Sequence, residues 1–158
     1  MNFSYKNIWI TGLLVVLPEN ERDFLNDMKM FNFSEARSLK LKEVMGYDKH
    51  RIVKDKVCVS DLAIHGLKHL FNSGSLAKDD FDSLLVVTQS PDHFIPGTSS
   101  VIQGELELKE DLLCMDITQG CAGYVVGLMQ AFMLLQQPSI NKVVLINGDV
   151  LSRKVSIH

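Results

Sequence analysis

The sequence has little of what would mark several common classes of protein. Its 158 residues include only three cysteines and one tryptophan, and 16 basic against 19 acidic side chains give a net charge of −3. Because nucleic-acid phosphates are bound by an excess of Lys and Arg, this balance argues against a nucleic-acid partner. Three scattered cysteines are too few for a disulfide framework. We therefore expect reduced thiols and a cytoplasmic protein.

Long hydrophobic runs are also missing. The most apolar stretch near the start runs from Ile8 to Leu17, about ten residues against the roughly twenty that a membrane-spanning helix needs. No small-residue cleavage site follows it, so a secretory signal is not expected either. We predict no membrane partner, and we interpret residues 8–16 as a buried first β-strand.

The pattern that remains is that of a folded α/β domain. Hydrophobic residues make up 46% of the chain, and short apolar runs alternate with segments of helical periodicity, which favours a mostly parallel sheet with crossover helices. Strands are predicted over residues 8–16, 83–88, 112–117 and 142–147. Helices are predicted to begin at the N-caps Ser34, Ser60 and Thr98 or Ser99, and a further helix is predicted over residues 124–136.

Cys121 stands at the most informative position. A buried strand is predicted to stop at Ile117, Gly120 permits a tight turn, and Cys121 lies at the start of the next helix. The positive end of a helix favours a thiolate and so raises nucleophilicity, and the backbone N–H groups of Gly120, Ala122 and Gly123 could donate to an oxyanion. A small cysteine packed in the core fits the local pattern equally well.

Four stretches of the sequence resemble β-ketoacyl-acyl-carrier-protein synthase III, a member of the thiolase-like condensing enzymes. They occur in the order and spacing of that family between about Leu41 and Arg153. In this sequence they are residues 46–52, 60–63, 85–100, and 116–124 followed by 147–153.

The resemblance implies a three-layer α-β-α thiolase-like fold, with residues 1–158 forming the N-terminal half-domain and the C-terminal half lying outside the chain. Cys121 matches the nucleophile, which takes an acyl group from acyl-CoA or an acyl carrier protein. Condensation with a malonyl thioester then follows, as in fatty acid biosynthesis. Family members are usually homodimers, and the matching loop places Phe94 and Ile95 as substrate-shaping residues toward the partner's acyl pocket. No cofactor or metal is implied.

The family completes its site with a His and an Asn from the second half, and the five histidines here match neither position. The resemblance therefore implies that this chain is acylated at most. The tryptophan that typically stacks on CoA is absent, since the only one is Trp9, so the donor stays open between CoA and a carrier protein. A thiolase-fold enzyme of secondary metabolism or hydrocarbon assembly, and a non-catalytic dimerisation half-domain, also stay open.

Other candidates have simpler interpretations. His65 and His69 have the spacing of a metal-binding pair on a helix, but no third ligand is obvious, so we expect no metal. Cys114 is interpreted as a core residue. Asp149 follows the carboxyl end of a predicted strand, where ligands bind in open α/β sheets, and a role in a structural turn is at least as compatible with its position.

Overall fold

A computed structural model describes residues 2–46, 48–54 and 56–153. Tyr47 of the first motif and the tail residues 154–158 lie outside the described residues. The chain divides into two compact units. Of the described residues, the larger contains 2–16 and Cys58–Asp149, and the smaller contains those between Leu17 and Val57 together with 150–153.

The elements are numbered in chain order. The strands are β1 (Asn20–Asp23), β2 (Lys49–Ile52), β3 (Ser83–Val87), β4 (Leu113–Ile117) and β5 (Val143–Asn147). The α-helices are α1 (Phe24–Asp27), α2 (Glu35–Met45), α3 (Val59–Asn72), α4 (Thr98–Glu105) and α5 (Gly123–Leu134), with single 3₁₀ turns at Met28–Met30 and Leu151–Arg153.

The larger unit is built on a parallel three-stranded sheet in the order β4-β3-β5. Leu85 of β3 lies opposite Met115 of β4 and Leu145 of β5. Every residue of β3 is buried, because a strand with a neighbour on each side and helices on both faces has no contact with water. The predicted α/β class and parallel sheet are confirmed.

One face of this sheet carries the main core. Leu84 and Val86 of β3 are completely buried in a cluster with Leu67 of α3 and Ile102 of α4. The other face is covered by α5, which begins at Gly123 rather than at the predicted residue 124. The sheet therefore lies between two helical layers, as in the predicted three-layer architecture.

The predicted first strand is wrong. Residues 8–16 form no strand, and most of their side chains are exposed, with Trp9 73% and Leu13 90% accessible. A strand needs the hydrogen bonds of a neighbour, and an apolar run by itself does not reveal whether one is available. Instead the segment contacts helices: Val16 lies against Gly66 of α3, and the nearby Tyr5 ring meets Phe132 of α5 edge to face.

The predicted helix starts have mixed outcomes. Ser34 caps α2 as predicted, since its Oγ accepts from the N–H of Arg37 at 3.4 Å, and Gly46 ends that helix with φ 71°. Ser60 is not a cap. Helix α3 starts two residues earlier, after Cys58, whose N–H donates to the carboxylate of Asp61 at 2.8 Å. The acceptor is thus an aspartate inside the first turn, which satisfies the same unpaired end.

The smaller unit contains a two-stranded antiparallel sheet that the sequence did not predict. Strands β1 and β2 pair antiparallel, with Asn20 opposite Ile52 and Asp23 opposite Lys49. Exposed ion pairs line it, including Lys49 with Glu21 at 2.7 Å. Each strand has only four mostly polar residues, so neither has the apolar alternation by which strands are recognised.

Candidate active site

Cys121 lies in a tight turn between β4 and α5, as predicted. The turn is closed by a 2.7 Å hydrogen bond from the N–H of Gly123 to the carbonyl oxygen of Gly120. The Cys121 side chain is exposed. An exposed thiol at the N-terminal end of a helix is accessible to a reagent or substrate, so the alternative of a buried core cysteine is excluded.

The position of this turn follows from how closely α5 approaches the sheet. A Cβ atom built on Gly127 would lie only 2.7 Å from Val87 Cγ2 and 3.0 Å from Leu145 Cδ1. Gly123, one turn earlier, would meet Val87 at 2.5 Å. Side chains at these positions would push the helix outward. The two glycines therefore bring Cys121 close to the carboxyl end of β3.

A cleft of about 240 Å³ opens at this edge of the sheet. Its position is the usual ligand site of open α/β sheets, where loops diverge beyond the carboxyl ends of parallel strands. Besides Cys121 it is bordered by Val87, Gln119, Gly120, Tyr124, Asn147, Gly148 and Asp149. Most of these side chains carry polar groups. Of the residues around the cleft, the candidates identified from the sequence were Gly120, Cys121 and Asp149.

Two backbone donors remain open beside the thiol. Among residues 2–46, 48–54 and 56–153, the N–H groups of Cys121 and Ala122 have no hydrogen-bond partner. The N–H of Gly123 is already used within the turn. Unpaired N–H groups next to a nucleophile are suited to stabilising negative charge on a carbonyl oxygen under attack.

Asp149 ties the ends of β3 and β5 together. Its Oδ1 accepts from Gln89 N at 2.8 Å and from the hydroxyls of Thr88 and Ser90 at 3.0 Å each, and its Oδ2 accepts from Gln89 Nε2 at 3.0 Å. Burial raises the pKa of the Asp149 carboxyl, but these hydrogen bonds outweigh burial and leave that pKa below its ordinary value. Asp149 therefore has the structural role that its position in the sequence allowed.

Gln89 connects this carboxylate to the nucleophile turn. Its side-chain Oε1 lies 3.1 Å from the place that a Cβ atom on Gly120 would occupy. Gly120 does not have a positive φ, so its backbone does not require glycine. The nearby amide leaves little room instead, because a methyl group at residue 120 would press on it unless the amide shifts by a few tenths of an ångström. No signal in the sequence indicated this contact beyond the position of Gln89 just after a buried strand.

The loop that carries Phe94 and Ile95 follows β3, which ends at Val87. The side chain of Phe94 is 100% exposed and that of Ile95 is 90% exposed. Neither residue borders the Cys121 cleft. The structure therefore does not bring the two predicted substrate-shaping residues together with the nucleophile within this chain.

The far end of the same loop is held by Asp116 of β4. Its carboxylate accepts from the N–H of Ser99 at 3.1 Å and from the Ser99 hydroxyl at 2.7 Å. The residue before α4 is Gly97, so neither Thr98 nor Ser99 is the N-cap that the sequence predicted. An acceptor from a distant strand replaces the local side chain that the pattern suggested.

The other thiols differ from Cys121. Cys58 and Cys114 are both half-buried, and none of the three cysteines is in a disulfide. Burial raises the pKa of the Cys114 thiol, and the neighbouring Asp116 carboxylate adds to that effect. Cys114 is therefore a protonated, weakly reactive group at neutral pH.

The predicted histidine pair gains no third ligand. His65 and His69 both lie exposed on α3, and no group of three His, Cys, Asp or Glu side chains suited to a metal ion occurs in the described ranges. Among those residues, no helix is long and apolar enough to cross a membrane.

Comparison with known proteins shows which family this chain resembles. The family model for 3-oxoacyl-[acyl-carrier-protein (ACP)] synthase III matches residues 115–157. A 3-oxoacyl-[acyl-carrier-protein] synthase 3 of Campylobacter jejuni is 35% identical over 97% of this chain and 43% of the relative. The β-ketoacyl-[acyl-carrier-protein] synthase III of Bacillus pumilus is 29% identical over 93% of this chain and 46% of the relative. The chain thus spans less than half the length of these curated relatives.

Solved structures give the same result. A 3-oxoacyl-(acyl-carrier protein) synthase from Burkholderia xenovorans superimposes with a TM-score of 0.81 at 25% identity, over 90% of this chain and 40% of the other. The synthase III of Aquifex aeolicus has a TM-score of 0.77 at 22% identity, over 90% and 45%. The second likeness shows the fold alone. The similarity reaches beyond the last two-thirds of the chain, where the motifs lie. This chain is accordingly similar to 3-oxoacyl-[acyl-carrier-protein] synthase III over nearly its whole length, and it has the thiolase-like fold that its motifs predicted.

Proposed function

We propose that Cys121 accepts an acyl group from a thioester, as the first half-reaction of a β-ketoacyl-acyl-carrier-protein synthase III-type acyltransferase. The observation that carries the proposal is the exposed thiol beside the open N–H groups of Cys121 and Ala122, at the ligand-binding edge of a parallel sheet. The donor would be an acyl-CoA or an acyl carrier protein thioester.

The step is a thioester exchange. The Cys121 thiolate attacks the donor's carbonyl carbon, and negative charge develops on the carbonyl oxygen, where the open N–H groups can donate. The new carbon–sulfur bond forms as the donor's carbon–sulfur bond breaks. The donor's thiol leaves with the proton that Cys121 has lost. The products are an acyl-Cys121 thioester and a free CoA or carrier thiol.

A second step would complete the reaction in a protein of the relatives' length. We propose that the acyl-Cys121 condenses with the carbanion formed when a malonyl thioester of acyl carrier protein loses carbon dioxide, in fatty acid biosynthesis. A homodimer would place the exposed Phe94 and Ile95 of one chain against the acyl pocket of another, which suits two apolar side chains that water surrounds completely. The names of the relatives support these proposals. They concern a protein of the relatives' length, which is more than twice that of this chain.

Acyl transfer is tested by intact-mass measurement of the chain after incubation with acyl-CoA, and separately with acyl carrier protein thioester. We expect one acyl adduct and an equal amount of released thiol. Cys121→Ser should abolish the adduct. Cys114→Ser is the matched control and should retain it. An undiminished amount of adduct on the Cys121→Ser variant would refute the assignment of Cys121 as the acyl acceptor.

A further inference from the structure

We propose that Asp149 is a positioning residue for Cys121 and acts through Gln89, which it holds against Gly120 in the nucleophile turn. The role of the thiol rests on the proposed function, but the mechanical link does not. All four residues belong to the larger unit, and Asp149, Gly120 and Cys121 border the same cleft.

The first link joins Asp149 to Gln89 at two points. The backbone N–H of Gln89 donates to Oδ1 at 2.8 Å, and its side-chain Nε2 donates to Oδ2 at 3.0 Å. Two contacts to the two oxygens of one carboxylate fix both the position and the rotation of the amide. Thr88 and Ser90 hold Oδ1 in turn, so the carboxylate itself has little freedom.

The second link joins Gln89 to Gly120. Because Nε2 is held by Asp149, Oε1 must lie on the other side of the amide, and this is the atom that lies 3.1 Å from a Cβ position on Gly120. A free glutamine could swing away from a pressing neighbour. This one is held in place, so it limits where the backbone of residue 120, directly before Cys121, can move.

Replacing Asp149 by Asn separates positioning from charge. The variant keeps an oxygen for Thr88, Ser90 and the N–H of Gln89, but it places an NH₂ group opposite Gln89 Nε2, and two donors cannot bond to each other. The glutamine then either loses this bond or turns its amide over, which points Nε2 instead of Oε1 at Gly120. In both cases the present approach of Oε1 to Gly120 is lost. Removing the negative charge of residue 149 gives no electrostatic reason for slower attack by an anionic nucleophile. Loss of positioning should slow that attack, since the backbone directly before Cys121 is no longer restrained.

Asp82 provides a matched control. Asp82 lies just before β3, at the amino ends of the parallel strands, whereas the cleft lies at their carboxyl ends. Its carboxylate also joins separate segments of the chain. It accepts from the N–H of Asn141 at 2.7 Å and from Lys109 Nζ at 3.1 Å. Asp82→Asn is therefore the same chemical change in the same kind of network, remote from the cleft.

The experiment measures the alkylation rate of each cysteine by iodoacetamide, resolved by peptide mass, across roughly pH 6 to 9 where a thiol titrates. The variants are Asp149→Asn, Gln89→Ala, both together, and Asp82→Asn. We expect Asp149→Asn and Gln89→Ala each to slow alkylation of Cys121 about threefold or more, with no further loss in the double variant, as for residues in one network. Asp82→Asn should leave the Cys121 rate unchanged.

Three results would overturn the inference: a wild-type rate in Gln89→Ala, a faster rate in Asp149→Asn, or equal slowing in Asp82→Asn. If Asp149→Asn does not fold, Gln89→Ala alone decides, since its side chain is exposed. Alkylation needs no acyl donor. A positive result without acylation would therefore refute the proposed function and leave the positioning role intact.

Discussion

Gly123 and Gly127 determine how close α5 lies to the sheet, and through that distance where Cys121 stands. Neither glycine has a positive φ, so neither is needed for its backbone conformation. Both face Val87 at distances that leave no room for a methyl group. Glycine on the first turns of a helix lowers its propensity to form, and close packing of the helix on the sheet is the reason for it here.

Substituting Gly127 by Ala should therefore destabilise the fold. A Cβ atom 2.7 Å from Val87 and 3.0 Å from Leu145 overpacks the interior, at a cost of about 1–3 kcal/mol. Gly104 in α4 is the control, because nothing lies within 4 Å of its Cβ position and alanine there should stabilise the helix by up to about 1 kcal/mol. Urea unfolding followed by circular dichroism measures both. Equal effects of the two substitutions would contradict the close approach of α5.

The carboxylate of Asp82 should make the stability of the fold depend on pH. Hydrogen bonds, first from the N–H of Asn141 and then from Lys109, lower its pKa to about 2, against about 3.9 in an unfolded chain. A pKa that is lower in the folded state stabilises the fold above the unfolded value, and this contribution is lost as the pH falls from about 4 to about 2.

The measurement compares the free energy of unfolding of the wild type and of Asp82→Asn over that pH range. The wild type should be the more stable protein at pH 5 and above, and its advantage should shrink as the solution is acidified. An advantage that stays constant from neutral pH down to about 2 would show that Asp82 keeps an ordinary pKa.

Strand β3 is the element on which the larger unit depends. Both its faces and both its edges are covered, and Leu84, Leu85 and Val86 have no accessible surface. Its uninterrupted apolar run predicted this environment correctly. The run at residues 8–16 is similarly apolar but has a different environment, since no strand in the described ranges pairs with it. Composition alone cannot tell these two situations apart.

Matched leucine truncations test this difference between the two runs. Leu85→Ala should lower the free energy of unfolding by about 2–5 kcal/mol, because it leaves a cavity in a closed core. Leu13→Ala removes the same atoms from a side chain that is 90% exposed, and its effect should stay within about 0.5 kcal/mol. If Leu13→Ala lowered the free energy of unfolding as much as Leu85→Ala, the interpretation of residues 8–16 as a buried strand would be supported after all.

Helix boundaries divide in the same way between local and distant causes. Ser34 and Gly46 bound α2 through contacts within a few residues, so their roles could be predicted. The start of α4 is held by Asp116, 17 residues after Ser99 along the chain. A side chain brought in by the folded sheet leaves no trace in the local pattern on which cap prediction depends.

At the scale of the molecule, motif order predicted the fold better than any single element did. The turn at Cys121 and the parallel sheet follow the predicted arrangement, whereas the roles of Cys121 as nucleophile and of Phe94 and Ile95 at a partner's acyl pocket stay predictions. The contact of Asp149 with Gln89 joins residues 60 apart, and it could not be predicted from either sequence neighbourhood. Such contacts arise only when the carboxyl ends of β3 and β5 come together.

The direct test of Cys121 as the acyl acceptor is to map a transferred acyl group among the three thiols. The 158-residue chain is incubated with an acyl thioester, digested without reduction, and sequenced by mass spectrometry with and without neutral hydroxylamine, which cleaves thioesters. We predict that the acyl group resides on the Cys121 peptide and is released by hydroxylamine. An acyl group found instead on Cys58 or Cys114, or on no cysteine at all, would contradict this assignment.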